Sequence, residues 1–361
     1  MKILYLLSHD IFSNDGITKK IITQMQTWQL FGNDVKVFNI LVKKNIQEGD
    51  LFHNIKVIYR HNVINGNKIL FKSIREFEPD LIYFRFEPYK PFLKKILSKY
   101  PTIFELNTND LTEQRLEARN DIKKILRYIY NLYTRNIILN EANGFVGVSH
   151  EICKLKQFTK FNKEMIVIPN TIKLSDYPIL KKMNQKRKPV LLFMGKPGFV
   201  WQGISKIIKL AKLTEGYLEF RIVGYDTPRS FLPANIKFYG YLESQEYHKI
   251  VCECDIAIST LSLHKKNMNE ASPLKFREYL AYGLPVIIAY EETAFVGKQY
   301  PEWILRIPNT ETNIDNYYKE IVRFSYDMKN KIISRSEVAQ YIDSGIWEKK
   351  RLDYFKKILK K

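Results

Sequence analysis

Asn269-Glu270-Ala271-Ser272-Pro273-Leu274-Lys275-Phe276-Arg277-Glu278-Tyr279-Leu280-Ala281-Tyr282-Gly283-Leu284-Pro285-Val286-Ile287 is the stretch whose reading decides the fold. Ser272 is a good helix N-cap and Pro273 a good first helical residue. The helix they open runs to Ala281, Gly283 ends it, and Pro285 leads into a strand at Val286–Ala289. A loop therefore delivers the chain to a free helix N-terminus, where backbone N–H groups and the helix dipole favour a phosphate. Pro273 has no N–H, so the donors there are Ser272, through backbone and hydroxyl, and Leu274. Glu278 lies nearly two turns into the helix, placed to hydrogen-bond a diol, and Glu270 sits in the loop before the cap.

Strands and helices alternate on both sides of this stretch. Upstream of it, strand Val190–Met194 ends at Gly195, strand Leu218–Val223 ends at Gly224, and Ile236–Tyr239 ends at Gly240. Helices over Gly203–Leu213 and Ser244–Glu253 lie between these strands and the next, Ile256–Thr260. A further helix covers Thr312–Tyr326. The first half repeats the pattern with strands at Ile3–Leu7, Val35–Val42, Ile55–Ile58, Leu81–Phe84, Thr102–Leu106, Gly144–Ser149 and Met165–Ile168. Gly16-Ile17 opens a helix to about Phe31. One long helix is predicted from Leu111 to Asn140, with Leu116, Ile122, Ile125, Ile129, Leu132 and Ile137 at helical spacing. Such alternation builds parallel sheets covered on both faces.

The chain has 361 residues, enough for about two domains. Lys181 to Pro189 is polar and basic and is the best linker candidate. The expected organisation is an α/β protein of two doubly wound, Rossmann-like domains, residues 1–183 and 184–340, followed by a helical segment at 341–361. In such sheets a ligand sits at the carboxyl ends of the strands where strand order reverses. With two facing units, the cleft between them is the expected ligand position.

Composition removes other classes. Hydrophobic residues are 45% and charged residues 27%, ordinary for a globular chain, so a disordered chain and a small disulfide scaffold are excluded. The three cysteines, Cys153, Cys252 and Cys254, suit a reducing compartment. Cys252-Glu253-Cys254 is too tight for usual zinc spacing and reads as buried structural thiols. No leader peptide or membrane span is recognisable, so a cytoplasmic protein is expected. The net charge of +20 is spread over both halves and attracts anions without choosing among them. It forms no single stripe, and no nucleic-acid motif accompanies it. Lys123, Lys124, Arg127 and Arg135, with Tyr128, Tyr130 and Tyr133 on the long helix, predict peripheral contact with an anionic membrane. His9 and His150 read as ordinary loop and helix-start residues.

The stretch resembles the signature of the retaining glycosyltransferases of family 4, which have the GT-B fold: Glu, seven residues, Glu, then a Gly-x-Pro-Val strand entry. Glu270, Glu278 and Gly283-Leu284-Pro285-Val286 stand in those places. Leu192-Phe193-Met194-Gly195-Lys196 resembles the family's strand and Gly-Arg. Ile222-Val223-Gly224 and Phe238-Tyr239-Gly240-Tyr241-Leu242 resemble its later strand ends, and Gly16-Ile17 resembles its first glycine loop. Val148-Ser149 and Ile168-Pro169-Asn170 are also family-like. The likeness runs over roughly residues 1 to 325 and is strongest from 190 to 290.

The resemblance implies a glycosyltransferase that takes a sugar from a nucleotide-diphosphate sugar, with retention of configuration; no Asp-x-Asp pair stands at a strand end, so no metal or other cofactor is expected. Glu278 is then the ribose ligand, and Glu270 faces the donor sugar near the reacting carbon. Lys196, Gln202, Ser272, Leu274 and the Gly16 backbone meet the diphosphate, with Gly224, Tyr241 and Leu242 toward the base. Glu270, Lys196 and Asn107 form the catalytic set. The acceptor is a glycan or a lipid-linked molecule, and the setting implied by analogy is bacterial surface polysaccharide assembly. The C-terminal helix is expected to cross back to the first domain.

The sequence departs from the pattern in three places. Lys196 replaces Arg, Gln202 replaces Lys, and no His follows the mid-domain strand that leads to Arg85. Lys275 or Arg277 is the candidate for the lost positive charge, and Asn107 or Asn109 for the missing contact to sugar or acceptor. Two other readings carry the same motifs. One is a nucleotide-sugar 2-epimerase of this fold, and the other is a catalytically silent glycosyltransferase-like subunit.

Overall fold

A computed structural model describes residues 1–13, 15–41, 50–52, 54–59, 63–118, 121–180, 187–229 and 231–360. The chain divides into two compact units, Met1–Thr171 with Ser344–Lys361, and Ile172–Asp343. Most of the linker read at Lys181 to Pro189, including the boundary at 183/184, lies outside the described residues. Ile172 pairs with Asp343 within the second unit.

The first unit holds β1 (Lys2–Leu7), β2 (Asp34–Leu41), β3 (Asp50–Phe52), β4 (Ile55–Tyr59), β5 (Leu81–Arg85), β6 (Thr102–Leu106), β7 (Gly144–Gly147) and β8 (Glu164–Val167). Their order in the sheet is β3-β4-β2-β1-β5-β6-β7-β8, and only the β3–β4 pair is antiparallel. The helices are α1 (Gly16–Leu30), α2 (Val63–Phe77), α3 (Pro91–Leu97), α4 (Asp110–Glu117), α5 (Ile122–Leu139) and the short α6 (His150–Cys153) and α7 (Lys156–Thr159). Five of the six residues of β1, Ile3 to Leu7, have no solvent exposure, as a strand covered on both faces requires.

The long helix expected at Leu111–Asn140 is two helices, α4 and α5. Asp121 starts the second by accepting N–H bonds from Lys123 at 2.9 Å and Lys124 at 3.3 Å, a capping device that a purely apolar periodicity does not register. Ile122, Ile125, Ile129 and Leu132, expected as a periodic apolar row, are all exposed.

The second unit has β9 (Val190–Met194), β10 (Glu219–Val223), β11 (Ile236–Phe238), β12 (Ile256–Ile258), β13 (Glu270–Ala271), β14 (Val286–Ile288), β15 (Glu291–Glu292) and β16 (Ile304–Arg306). Six of these form an all-parallel sheet in the order β11-β10-β9-β12-β14-β16, and β13 pairs with β15 apart from it. Its helices are α8 (Ile204–Leu213), α9 (Ser244–Glu253), α10 (Leu274–Ala281), α11 (Asn313–Met328) and α12 (Arg335–Ile342).

The last helix, α13 (Ser344–Leu359), belongs to the first unit, where Leu352, Tyr354, Phe355 and Ile358 join a core with Ile3, Tyr5, Trp28 and Tyr83. A buried polar cluster fixes it there. Glu348 accepts from Trp28 Nε1 at 2.7 Å and pairs with Arg351 at 2.7 Å. Arg351 donates to the Tyr83 hydroxyl at 2.5 Å and lies 3.9 Å from Glu105. Glu105 has no exposed surface and also meets Lys20 at 2.8 Å and Arg85 at 3.3 Å. Burial alone would raise its pKa, but Lys20, Arg85 and Arg351 hold the carboxyl well below the usual carboxylate range.

Glu105→Ala strands these cations without their shared carboxylate and should destabilise the first unit by about 3–5 kcal/mol, read by urea denaturation. The folded-state value is depressed, so the wild-type contribution is complete above about pH 4.3 and fades as the pH falls toward the folded value. Equal urea midpoints for wild type and variant at neutral pH would contradict the assignment.

Candidate functional site

In the second sheet the chain runs outward from β9 through β10 to β11, then returns to β12 on the other side of β9. Strand order therefore reverses between β9 and β12, and the loops after those two strands define the ligand position of this unit. The loops touch through backbone: Ser262 N–H donates to Trp201 O at 3.1 Å and Leu261 N–H to Gln202 O at 3.3 Å. Gly203 sits at φ +84°, and a Cβ there would meet Ser262 Oγ at 3.0 Å and Leu261 Cβ at 3.1 Å. A side chain at 203 would push the two loops apart.

Gly224, at φ +87°, makes a second close approach. A Cβ would meet Gly195 O at 1.9 Å, so the ends of β9 and β10 come together only with glycine there. Gly224 N–H donates to Gly240 O at 2.6 Å, which ties the segment bearing Tyr241 and Leu242 to the same strand ends. Tyr241 is 72% exposed, leaving its ring free to meet a ligand.

The end of β9 is braced from two directions. Gln202 Oε1 accepts from Lys196 N–H at 3.2 Å and from the Tyr225 hydroxyl at 3.3 Å, while Tyr225 also reaches Lys196 O at 2.9 Å. From α10, the Tyr279 hydroxyl accepts from Met194 N–H at 2.8 Å and Lys275 Nζ donates to Met194 O at 3.2 Å. The same ammonium lies 4.1 Å from the centre of the Phe193 ring. Burial pushes Lys275 down to about 7. Arg277 faces the other way, fully buried and paired with Glu292 at 2.6 Å. Of the two cations read as candidates, Lys275 alone faces the end of β9.

The helix start differs from expectation. α10 begins at Leu274, and its N-cap is Pro273 in an extended conformation at φ −70°, ψ 137°, with no side-chain cap bond. Ser272 is buried one residue before the cap. Pro273 itself is extended, so the helix opens one residue later than Ser-Pro capping predicts. The Leu274 N–H remains in the first turn.

Glu270 lies in β13, buried, in register with Glu291. Glu278 is 9% exposed on α10 among tyrosines. Burial first, and the Glu278 charge second, push the hydroxyls of Tyr177, Tyr247 and Tyr282 upward, which keeps them protonated beside that carboxylate.

In the first unit, Gly16 is the exposed first residue of α1. Asp15 caps that helix by accepting from Thr18 N–H at 2.9 Å and pairs with His9 at 3.1 Å. Asn107 follows β6 with both ends of its amide engaged: Oδ1 accepts from Lys20 at 2.9 Å and Nδ2 donates to Glu105 at 3.1 Å. Lys20, Arg85 and Glu105 were not singled out as a cluster in the sequence; they lie on α1, β5 and β6, and only strand order brings them together. Ser149 caps α6, whose first residue is His150. Cys252 is exposed, so the expectation that it is buried fails, because α9 turns that residue outward while Cys254 stays buried. Among the described residues no group of three or more His, Cys, Asp or Glu is placed to hold a metal ion.

No family model matches the chain, and no curated protein matches it by sequence. Solved structures do. A sucrose-phosphate synthase from Thermosynechococcus elongatus aligns at TM-score 0.72 with 12% identity, covering 100% of both chains. The apo lipopolysaccharide outer core galactosyltransferase WaaB aligns at 0.65 with 12% identity, over 99% of this chain and 100% of that one. Anabaena HepE in complex with UDP-glucose aligns at 0.65 with 13% identity over the same shares. The fold is that of these proteins, the α/β GT-B fold of two Rossmann-like units.

Free Lys275 should titrate near neutrality, with its ammonium protonated below about 7 and neutral above. Lysine-selective 13C NMR compared between wild type and Lys275→Met assigns the resonance. A midpoint in the ordinary lysine range, about 10.4, would refute the desolvated placement.

Proposed function

We propose that the second unit binds a nucleotide-diphosphate sugar and that the protein transfers this sugar to an acceptor hydroxyl. The observation that carries the reading is the convergence of Lys196, Lys275 and the first turn of α10 on one strand end of a fold shared with UDP-glucose-bound HepE. That neighbour makes a uridine diphosphate sugar the first donor to test.

In the proposed reaction the bond from the anomeric carbon to the phosphate oxygen breaks as the acceptor oxygen bonds to that carbon. The acceptor's proton passes to the leaving diphosphate, and configuration is retained. Negative charge grows on the diphosphate, where Lys196, Lys275, the Leu274 N–H and backbone donors would stabilise it without a metal. Glu270 would face the sugar ring as positive character develops there. Glu278 would accept from the ribose hydroxyls, with Tyr241 and Leu242 beside the base and Gly224 allowing close approach. Gln202 would act through the loop it braces, and Ser272 through the chain that presents Leu274. Gly16 and Asn107 belong to the unit proposed to receive the acceptor, a glycan or lipid-linked molecule of bacterial surface polysaccharide assembly. A cytoplasmic site of action completes the proposal and accords with three cysteines that form no disulfide.

The test is release of nucleoside diphosphate from UDP-sugars that depends on an added acceptor. Glu278→Ala should raise the nucleotide Kd about tenfold or more, the cost of a lost hydrogen bond to a charged group. Lys196→Ala should lower kcat by about a hundredfold. Wild-type rates in both variants would sink the assignment; turnover of donor without acceptor would point to a 2-epimerase, and nucleotide binding without any turnover to a silent subunit.

A pH dependence follows from Lys275. A bound diphosphate favours the charged amine, so binding above about 7 must take up a proton. Donor affinity should weaken as the pH rises past that value, by up to about tenfold per pH unit. Calorimetry in buffers of different ionisation enthalpy should show net proton uptake in the wild type and none from this group in Lys275→Met.

A further inference from the structure

Helix α5 turns an apolar row toward solvent. Ile122, Ile125, Leu126, Ile129, Leu132 and Tyr133 are between 36% and 77% exposed. Their spacing of three and four residues places them on a single helix face. The opposite face is locked to the body of the first unit. Asn131 Nδ2 donates to Asp110 at 2.9 Å and to Gln114 at 3.0 Å, and Arg135 pairs with Asp110 at 2.7 Å. The Arg135 guanidinium also lies 5.0 Å from the ring centre of Phe158 and 5.4 Å from that of Phe86, and Ile138 and Leu139 are buried. The helix therefore cannot roll its apolar row inward without breaking a buried ion pair.

Charge selects what covers this row. From Ile122 to Leu139 the helix carries no Asp or Glu, while Lys123, Lys124 and Arg127 are exposed. The neighbouring α3 adds exposed Lys94 and Lys95. Row-to-row packing of two copies would offer these cations no carboxylate, because the helix carries none. A leaflet with anionic headgroups meets both features, taking the apolar side chains at the boundary of its acyl region and the cations at its phosphates. Among the described residues no helix is long and apolar enough to cross a membrane, so the contact is one of lying on the surface.

We infer that α5 docks the first unit on an anionic lipid surface through the row from Ile122 to Tyr133, with Lys123 and Arg127 at the headgroups. This docking is independent of the chemistry proposed for the second unit. Were both correct, it would hold the enzyme where a lipid-borne acceptor is presented.

Sedimentation of the full chain with vesicles tests the inference. The expected result is at least about tenfold stronger partition to mixed phosphatidylglycerol–phosphatidylcholine vesicles than to phosphatidylcholine alone, weakening as salt is added. Ile125→Ser/Ile129→Ser/Leu132→Ser should lose about tenfold or more in partition at unchanged circular dichroism and unchanged nucleotide binding, since these side chains are already in water. Lys123→Glu/Arg127→Glu should lose the preference for anionic lipid while leaving the fold intact. Equal partition to neutral and anionic vesicles, wild-type partition by the triple Ser variant, or a dimer in light scattering that the triple Ser variant dissolves without any lipid binding would each overturn it.

Discussion

A parallel strand that ends at a topological switch point loses one neighbour before it stops, and its last backbone groups must find partners elsewhere. In the second unit β12 pairs with β9 only as far as Phe193. Met194 is left with an N–H and a carbonyl on that side, and α10 answers both, with the Tyr279 hydroxyl and the Lys275 ammonium. This exchange fixes the helix against the strand end. Everything else proposed for the site depends on it, because the first turn of α10, the Lys196 loop and Glu278 are positioned relative to that junction.

The cost of the arrangement falls on Lys275. An ammonium held against a carbonyl and an aromatic ring gives up water for one hydrogen bond and a cation–π contact. The depressed pKa records that loss. The first unit solves the same problem differently. There Glu105 shares one carboxylate among Lys20, Arg85 and Arg351, and burial pushes Lys20 only to about 8 against the pull of Glu105. A cation without an anion is a poor structural element and a good place for a ligand to supply one.

The sequence disclosed what is local. Strand ends at Gly195 and Gly224 were legible because a buried strand followed by glycine is a short-range pattern, and α10 was legible from its Pro and Gly punctuation. The start of α10 was misjudged by one residue because Pro273 itself is extended. The break between α4 and α5 depended on the Asp121 cap. The outward face of α5 was invisible for a different reason: periodicity shows that a helix has an apolar face, but only the anchors on its other side, Asn131 and Arg135, decide which way that face points. Likewise Lys275 and Arg277, two residues apart, were equal in the sequence and opposite in space. The Glu105 cluster joins residues from α1, β5, β6 and α13, a set that only the completed sheet order and the return of the last helix define.

The departure from the family pattern at Gln202 becomes a structural solution when read together with Tyr225 and the Lys196 backbone. Burial pushes the Tyr225 hydroxyl up to about 12, so it is a donor at neutral pH, and it needs an acceptor. Lys196 O at 2.9 Å and Gln202 Oε1 at 3.3 Å both face it, and Gln202 Oε1 also takes the Lys196 N–H. A lysine at 202 has three donors and no acceptor. It would leave both the Tyr225 hydroxyl and the Lys196 N–H without this partner, loosening the turn that a Cβ at Gly203 would already disrupt. With glutamine fixed at 202 for the brace, the positive charge expected there has to come from another element, and Lys275 on α10 is the cation whose ammonium reaches the same strand end. The proposed site thus keeps its charge while moving it from a loop to a helix, where the packing of Phe193 and Met194 holds it in place before any ligand arrives.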